Sequence, residues 1–373
     1  MTRVVVLGGY GVFGSRVVRS LAAHDELELV VAGRRADAAE KFCAGLPGQR
    51  AQPIVIDHRA PDCAERLRAL EATAVVDAAG PFQERDHALA RGCAERGMHY
   101  IDLADSRRHV CTIAELDSLA RAREVLIVSG ASTVPAISTA VADELARGLS
   151  SVESIDVGIS PGHRAPRGLA TVQAILSYCG QPLPGLIAGT RMTELGWGGL
   201  HRHRYPAPVG SRWLSNVDVP ERDIWPARYP GLRTICFAAG LELGILHLTL
   251  SAASRLVRHG LIRSLVPSAR FMIRVADAFD GLASDAGAMH VRVRGVEARG
   301  QRVQRTWTVV AERGDGPQIP ATPAALLAKK LLGIAGYSPV SACGARPCLG
   351  LLALEEIMRE LAALAIRTRL DEE

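Results

Sequence analysis

Three glycines near the start of the chain, Gly9, Gly11 and Gly14, have the spacing of a loop that holds phosphate groups. In a G-x-G-x-x-G loop the first glycine allows a tight turn, the second lets the backbone approach a pyrophosphate, and the third lets a helix pack on a strand. The N-terminus of that helix faces the phosphates. The spacing predicts a dinucleotide site rather than an ordinary strand-to-helix turn, formed by Gly8, Gly9, Tyr10, Gly11, Val12, Phe13 and Gly14.

A second group of residues distinguishes between the two nicotinamide dinucleotides. An apolar run at residues 27–32 ends at Gly33, Arg34 and Arg35. About 20 residues beyond the glycine loop, an acidic residue binds the ribose of NAD, whereas an arginine accommodates the 2′-phosphate of NADP. Gly33 leaves room and the two arginines supply charge, so the sequence predicts NADP. The alternative is that both are ordinary surface arginines.

The remaining candidate site residues follow the later strands. Ligands of an open parallel sheet bind outside the carboxyl ends of its strands. Asp102 ends one such strand, where it would donate or accept a proton or bind an amine, or would only cap backbone N–H groups. The other candidates are Gly80, Pro81 and Phe82 beside the cofactor, and Gln83, Ser132 and Arg204 for the substrate.

Histidine and cysteine do not form a recognisable metal motif in this sequence. His201 and His203 would share one face of a strand, but no third ligand has a clear spacing, so no metal site is predicted. The pair, with Arg204, is better suited to a polar loop or to anion recognition. The eight cysteines include no C-x-x-C pair and mostly lie in apolar stretches, which is typical of reduced core thiols in a cytoplasmic protein.

The strands that position these residues are continuous apolar runs. They are expected at residues 4–7, 27–32, 54–57, 74–79, 100–102 and 125–128, with helical stretches between them. Strands without polar alternation are buried on both faces, which indicates a parallel sheet covered by helices. The expected fold class is α/β, with an N-terminal Rossmann domain over residues 1–133.

Beyond residue 133 the pattern becomes alternating, as in half-exposed strands. Residues 151–160 alternate, and residues 289–294 alternate strictly and are expected to pair with 303–311 as a hairpin. These strands predict a second α+β domain over 134–335, for substrate binding or dimerisation, with a mixed or antiparallel sheet. Residues 197–235 are expected to form loops. A helix at 349–364, within a C-terminal segment over 336–373, is expected to pack back on the first domain.

Composition excludes several other classes of protein. Arginine dominates the 44 basic residues and is dispersed, so the net charge of +5 does not indicate nucleic-acid binding. The apolar stretch at 240–261 is interrupted by charged residues, and therefore predicts a buried or interfacial helix without stable membrane insertion. The cofactor strand begins at once, so no signal peptide is expected. Of three lysines, Lys41, Lys329 and Lys330, one would be needed for Schiff-base chemistry.

Residues 6–14, 32–34, 76–82 and 100–103 together resemble the saccharopine dehydrogenase-like NADP-binding family. Residues 317, 320, 329–331 and 344–348 are similar to a bacterial branch of that family. The resemblance implies a Rossmann domain, a second α/β domain inserted before the C-terminal segment, and hydride transfer with a nicotinamide cofactor. The chain departs from the lysine-forming saccharopine dehydrogenases, whose catalytic lysine and histidine have no identifiable match here.

The resulting hypothesis is an NADP-dependent oxidoreductase that reduces a C=N bond of a small metabolite, in the cytoplasm and as a possible homodimer. The resemblance implies this hypothesis because some family members reduce imines. Other members are described as enoyl reductases, so the alternative is reduction of a C=C bond, including that of a lipid substrate. A non-catalytic NADP-binding sensor is a third hypothesis. A sensor would bind NADPH without consuming it.

Overall fold

The computed structural model describes residues 2–373, and these form two compact units. The first comprises residues 2–137 and Gln318–Leu361, and the second comprises Ser138–Pro317 and Ala362–Glu373. The chain therefore passes between the units three times. The division differs from the expected domains of 1–133, 134–335 and 336–373, because residues 318–335 belong to the first unit and the last twelve residues to the second.

The strands are, in chain order, β1 (Thr2–Leu7), β2 (Leu27–Gly33), β3 (Ala51–Val55), β4 (Ala74–Asp77), β5 (His99–Asp102), β6 (Leu126–Ser129), β7 (Leu149–Ser160), β8 (Pro182–Ile187), β9 (Thr190–Leu195), β10 (His201–Arg204), β11 (Ser211–Asn216), β12 (Thr234–Ala239), β13 (Gly287–Glu297), β14 (Arg302–Ala311), β15 (Gly344–Pro347) and β16 (Ile366–Glu372). The helices are α1 (Gly14–Leu21), α2 (Ala36–Ala44), α3 (Cys63–Ala69), α4 (Ala88–Glu95), α5 (Arg107–Thr112), α6 (Asp117–Ala122), α7 (Ser138–Leu145), α8 (Leu169–Tyr178), α9 (Glu221–Arg228), α10 (Gly244–Arg258), α11 (Ala269–Asp277), α12 (Gln318–Leu331) and α13 (Leu354–Leu361).

The first unit is built on a parallel sheet of seven strands over the described residues, in the order β15-β6-β5-β4-β1-β2-β3. Val4, Val5 and Val6 of β1 are fully buried, as expected for a strand covered on both faces. The predicted Rossmann fold is confirmed. The third strand covers 51–55 rather than 54–57, and Pro53 is tolerated there because β3 lies at the edge of the sheet.

The C-terminal part of the first unit returns to this sheet, as predicted. β15 pairs in parallel with β6, and α12 contacts α1. The predicted helix at 349–364 is shorter than expected, since α13 spans Leu354–Leu361, and it packs on α12. Two partly buried ion pairs join these helices: Lys329 Nζ lies 2.6 Å from Glu360 Oε2, and Lys330 Nζ lies 2.7 Å from Glu356 Oε1.

The second unit is built on a mixed sheet of nine strands over the described residues. Its main order is β10-β11-β12-β7-β13-β14-β16, and β8 and β9 extend from β12. β12 pairs in parallel with β7, whereas β13 pairs antiparallel with β7 and β14. The predicted hairpin of 289–294 with 303–311 is confirmed, with Met289 opposite Val309.

Residues 197–235 do not form loops, and that prediction is wrong. The segment contains β10, β11, α9 and the start of β12. β10 reads His-Arg-His-Arg and lacks apolar residues, so no hydrophobic pattern marks it as a strand. Its half-buried positions are the two histidines, and the His203 ring stacks on the His290 ring with centroids 3.7 Å apart.

Two other composition-based predictions concern burial. Five cysteines are buried, as expected for core thiols: Cys43, Cys63, Cys93, Cys179 and Cys348. The apolar stretch at 240–261 contains α10, whose sides differ in burial. Over residues 2–373, no helix has both the length and the apolar character that crossing a bilayer requires.

Candidate active site

The predicted phosphate loop joins β1 to α1 in a close turn. Gly8 has a left-handed φ of +70°, so the conformational freedom lies at Gly8 rather than at Gly9, where the motif predicts it. A Cβ at Gly14 would lie 2.2 Å from the Gly8 carbonyl oxygen, which explains why the helix begins with glycine. A Cβ at Gly11 would meet only that same oxygen, at 3.0 Å, among described atoms beyond its chain neighbours. The outer side of the turn is therefore open to a pyrophosphate.

Tyr10 connects this turn to the end of β2. A Cβ at Gly33 would lie 2.4 Å from Cε1 of Tyr10 and 2.5 Å from its hydroxyl oxygen. The Arg35 N–H donates a hydrogen bond to that hydroxyl at 3.0 Å, and the Arg35 guanidinium carbon lies 5.7 Å from the ring centroid. Gly33 therefore makes room for the Tyr10 ring, and not directly for a phosphate as the sequence suggested.

Arg34 and Arg35 are both exposed at the carboxyl end of β2, immediately before α2. Two guanidinium groups beside a helix N-terminus form a strongly anion-attracting position. The turn, the Tyr10 ring and these arginines thus have the arrangement that a 2′-phosphorylated dinucleotide requires. The residues present fit NADP.

Two carboxylates lie side by side at the ends of β4 and β5. Asp77 and Asp102 are register partners in the parallel pair, and neither is exposed. Buried carboxylates need hydrogen bonds or cations to be stable. The two side chains therefore have to be understood through their partners.

Asp77 is held by an arginine, a tyrosine and the backbone. Its Oδ2 accepts hydrogen bonds from Arg85 Nη2 at 2.7 Å and from Tyr100 Oη at 3.1 Å, and its Oδ1 accepts from the Ala79 N–H at 2.9 Å. Burial raises the pKa of Tyr100 well above its ordinary value, and the charge of Asp77 raises it further. Arg85 also donates to the Ala79 carbonyl at 3.1 Å and lies over the Phe82 ring. The network fixes the Gly80, Pro81 and Phe82 loop that was predicted beside the cofactor.

Asp102 has the hydrogen bonds of a capping residue, the second of its two predicted roles. Its Oδ1 accepts from the N–H groups of Ala104 and Gly130 and from Ser129 Oγ, at 2.9–3.0 Å. Burial alone would raise the pKa of Asp102, but the His109 hydrogen bond and these amides lower it below the ordinary value. Asp102 therefore remains ionised at neutral pH and joins the ends of β5 and β6.

His109, on α5, is the cationic partner of Asp102. Its Nε2 lies 3.2 Å from Asp102 Oδ2, and its Nδ1 lies 3.2 Å from the Arg85 carbonyl oxygen. Both ring nitrogens face acceptors, so both hydrogen bonds form only when both nitrogens are protonated. Burial acts to lower the pKa of His109, but Asp102 outweighs burial and raises it. Below pH 6.5, the ordinary value for histidine, the two side chains therefore form a buried ion pair.

His87 lies against His109, with ring centroids 4.5 Å apart, and stays neutral. Burial and the neighbouring His109 charge lower the pKa of His87 to about 4. Its Nε2 contacts Thr112 Oγ1 at 2.9 Å.

The other candidate residues are found in different settings. Gln83 lies at the rim, where its Nε2 donates to Asp105 Oδ1 at 3.0 Å. Ser132 is buried, and its hydroxyl donates to the Pro320 carbonyl at 3.1 Å. Arg204 is exposed at the end of β10 in the second unit. Gln83 thus lies beside the carboxylate network through Asp105, and Ser132 follows Gly130 and Ala131, whose N–H groups donate to Asp102.

Sequence reasoning did not find Asp77, Arg85, Tyr100 or His109 as site residues. One signal was available, because Asp77 ends its buried strand as Asp102 ends the next one. When neighbouring parallel strands pair in register to their last residues, those last residues come together at one edge of the sheet. The partners Arg85 and His109 carried no comparable signal, since each lies in a polar stretch seven or eight residues further along.

Amine catalysis finds little support in the described lysines. Lys329 and Lys330 are buried in ion pairs with glutamates, and Lys41 is exposed on α2. A Schiff-base lysine needs a neutral amine, which a neighbouring carboxylate disfavours. Lys329 and Lys330 therefore act as links between α12 and α13.

The fold and the site define the class of this domain: a Rossmann dinucleotide-binding domain suited to NADP. Comparison with known families agrees, since the model of the saccharopine dehydrogenase NADP binding domain matches residues 4–128. These residues form such a domain, which confirms the family resemblance and supports NADP as its cofactor. No curated protein sequence matches the chain.

Comparison with solved structures gives one likeness that extends over the whole chain. Saccharopine dehydrogenase (L-Glu forming) from Saccharomyces cerevisiae aligns over 100% of both chains, with a TM-score of 0.70 and 14% identity. A probable dehydrogenase from Thermotoga maritima aligns over 96% of this chain and 93% of its own, with a TM-score of 0.47 and 9% identity. The first of these likenesses shows that the two-unit α/β fold is shared.

Proposed function

We propose that this chain is an NADP-dependent oxidoreductase that reduces a C=N bond of a small metabolite. The domain match and the shared fold support an oxidoreductase at the coarser level. When bound, NADPH supplies a hydride. That hydride forms the new C–H bond at the carbon of a protonated imine, and the π electrons become the nitrogen lone pair. The products are a neutral amine and NADP⁺.

The observation that carries the cofactor part is the pair of exposed arginines at the end of β2. Arg34 and Arg35 lie immediately before α2, and the Tyr10 hydroxyl accepts a hydrogen bond from the Arg35 N–H. NAD has a 2′-hydroxyl at this position, which needs an acceptor and gains little from two cations. The arrangement favours a doubly charged phosphate.

The carboxyl edge supports an imine more than an alkene. Asp105 is an exposed carboxylate that accepts a hydrogen bond from Gln83, whereas the charge of buried Asp102 is already matched by His109. A protonated imine already carries its proton and is cationic, so it benefits from carboxylates nearby and needs no acid at the hydride step. A C=C bond requires a proton on carbon from a donor, for which ionised carboxylates are unsuited. Asp102 is buried and paired with His109, so we assign it a positioning role.

The second unit and the assembly complete the proposal. Arg204 is proposed to bind a substrate carboxylate. Ser132 is proposed to hold the loop after β6 in place through its hydrogen bond to the Pro320 carbonyl. Substrate binding by the second unit, a homodimer and a cytoplasmic location remain predictions.

The reaction itself can be tested with NADPH and panels of substrates. We expect NADPH oxidation only when a carbonyl compound and an amine are supplied together, and a secondary amine as the product by mass spectrometry. Oxidation with an α,β-unsaturated thioester and no amine would contradict the proposal in favour of C=C reduction. Tight NADPH binding without turnover on either panel would instead favour a sensor.

Cofactor preference tests the two arginines separately from the reaction. Arg34→Ala and Arg35→Ala should each weaken NADPH binding by roughly ten- to a hundredfold, since a charge-assisted hydrogen bond is worth about 1.5–3 kcal/mol. NADH binding should not change, because NADH lacks the phosphate. Fluorescence titration of both nucleotides measures this, with exposed Arg123 as the control, replaced in Arg123→Ala. Equal affinity of the wild-type protein for the two nucleotides would remove the basis for NADP preference.

A further inference from the structure

An ordinary surface helix buries its apolar face and exposes its polar face. In the helix α10 several polar residues are buried and a row of apolar residues is exposed. Its buried positions are His247, Leu250, Ser251, Ser254 and Val257, of which three are polar. Its solvent face carries apolar side chains at intervals of three and four residues: Ile245, Leu248, Ala252 and Leu256. Ile245 is 63% exposed and Leu256 is 42% exposed. A stripe at this spacing is one continuous apolar surface.

The end of the helix extends this surface by one more leucine. Gly260 has a φ of +73°, and its N–H donates to the Val257 carbonyl at 3.0 Å. The Leu261 N–H reaches back to the Leu256 carbonyl, also at 3.0 Å. This is a Schellman motif, which brings the side chain after the glycine towards the last turn of the helix. Leu261 thus lies near Leu256, and it is 74% exposed.

The charged residues of the segment that carries the stripe are of one sign. Residues 243–276 contain no aspartate or glutamate, and they contain five exposed arginines: Arg255, Arg258, Arg263, Arg270 and Arg274. The acidic residues at the two ends of this segment have partners. Glu242 is 3.3 Å from Arg212, and Asp277 is 3.1 Å from Arg167. The α10 surface, defined as Ile245, Leu248, Leu256 and Leu261 with Arg255, Arg258 and Arg263, is therefore apolar and uniformly cationic.

We infer that the α10 surface is a peripheral docking site for an anionic lipid bilayer. An exposed apolar stripe bordered by arginines is suited to the boundary between phosphate headgroups and acyl chains. A second copy of the chain fits less well, because a symmetric contact through this face would bring arginines against arginines. Nucleic acid would pair with the arginines but leave the leucines unburied. The inference is independent of the proposed reaction.

The apolar part is tested with vesicles and matched variants of the full chain. The wild-type protein should sediment with vesicles of equal parts phosphatidylglycerol and phosphatidylcholine, and much less with phosphatidylcholine alone. Leu256→Ser combined with Leu261→Ser should weaken binding by about tenfold. Val55→Ser with Leu370→Ser is the control, since these side chains are 46% and 61% exposed elsewhere. All four sites are exposed, so thermal unfolding should change little.

The charged part is tested in the same assay. Arg255→Gln and Arg263→Gln should each weaken binding by about fivefold, and added salt should do the same. Arg147→Gln and Arg302→Gln, whose side chains are 75% and 82% exposed, should have no effect. Equal binding to both kinds of vesicle, or equal losses in the control variants, would overturn the inference. It would also be overturned if the leucine variants converted a dimer to a monomer without any vesicle binding by the wild type.

Discussion

Replacing Asp102 by asparagine should lower the free energy of unfolding by about 3 kcal/mol, because it leaves the His109 imidazolium buried without its counter-charge. Asp102 is fully buried, and His109 Nε2 is 3.2 Å from its Oδ2. Urea unfolding measures the loss. The control is Asp62→Asn, since Asp62 is exposed and its side chain does not cap α3. The folded variant should still bind NADPH. If Asp102 were instead a catalytic residue, the variant would lose turnover while its free energy of unfolding stayed the same.

The pH dependence of that loss identifies the pair. The pKa of Asp102 is lowered on folding, so its contribution is present above 3.8, the ordinary value, and is lost as pH falls through the folded pKa. The pKa of His109 is raised, so its contribution is present below 6.5 and is lost as pH rises through the folded pKa. The difference between wild type and variant should therefore be greatest between pH 3.8 and 6.5. A difference that does not vary with pH would show that the two groups are not coupled.

Gly14→Ala should weaken the binding of both NADPH and NADH by roughly thirtyfold. The new Cβ would lie 2.2 Å from the Gly8 carbonyl oxygen and 2.8 Å from its carbon, so the turn must move apart from α1. Such overpacking costs about 2 kcal/mol. Nucleotide binding requires the original turn, so this cost is subtracted from the binding free energy. Titration of both nucleotides measures the effect, and the loss for NADH separates it from the arginine variants.

A glycine without neighbours is the matched control for that substitution. A Cβ at Gly316 would meet no described atom within 4 Å, and no positive φ is needed there. Gly316→Ala should therefore leave nucleotide binding and stability unchanged. If Gly14→Ala bound NADPH as tightly as Gly316→Ala, the close approach of α1 to the turn would not be needed for the site.

The parts of the fold that the sequence predicted well are those with local signals. β1, the glycine turn and α1 lie within residues 2–21, and each is marked by apolar spacing or by glycine. β13 and β14 were predictable because alternate positions face a core, as Val291 and Val293 do. In these segments the residue types along the chain indicate which positions are buried.

The parts that were missed depend on contacts between distant residues. β10 has no apolar residue, and its His203 is half-buried against His290, far along the chain, whose ring stacks on it. Likewise Asp102 has an ordinary strand-end position, and its ionisation is decided by His109 and by the Gly130 amide. A pattern along one segment does not contain such partners. The loop-forming composition of 197–235 was therefore misleading.

The repeated passage of the chain between the two units has a consequence for synthesis on the ribosome. The nucleotide-binding sheet gains β15, and its α1 gains α12, only after residues 318–361 have been made. β14 of the other sheet is not covered at its outer edge until β16 follows. The first unit consequently cannot finish folding before residues 318–361 have been made, and the second sheet is complete only after β16 has been translated.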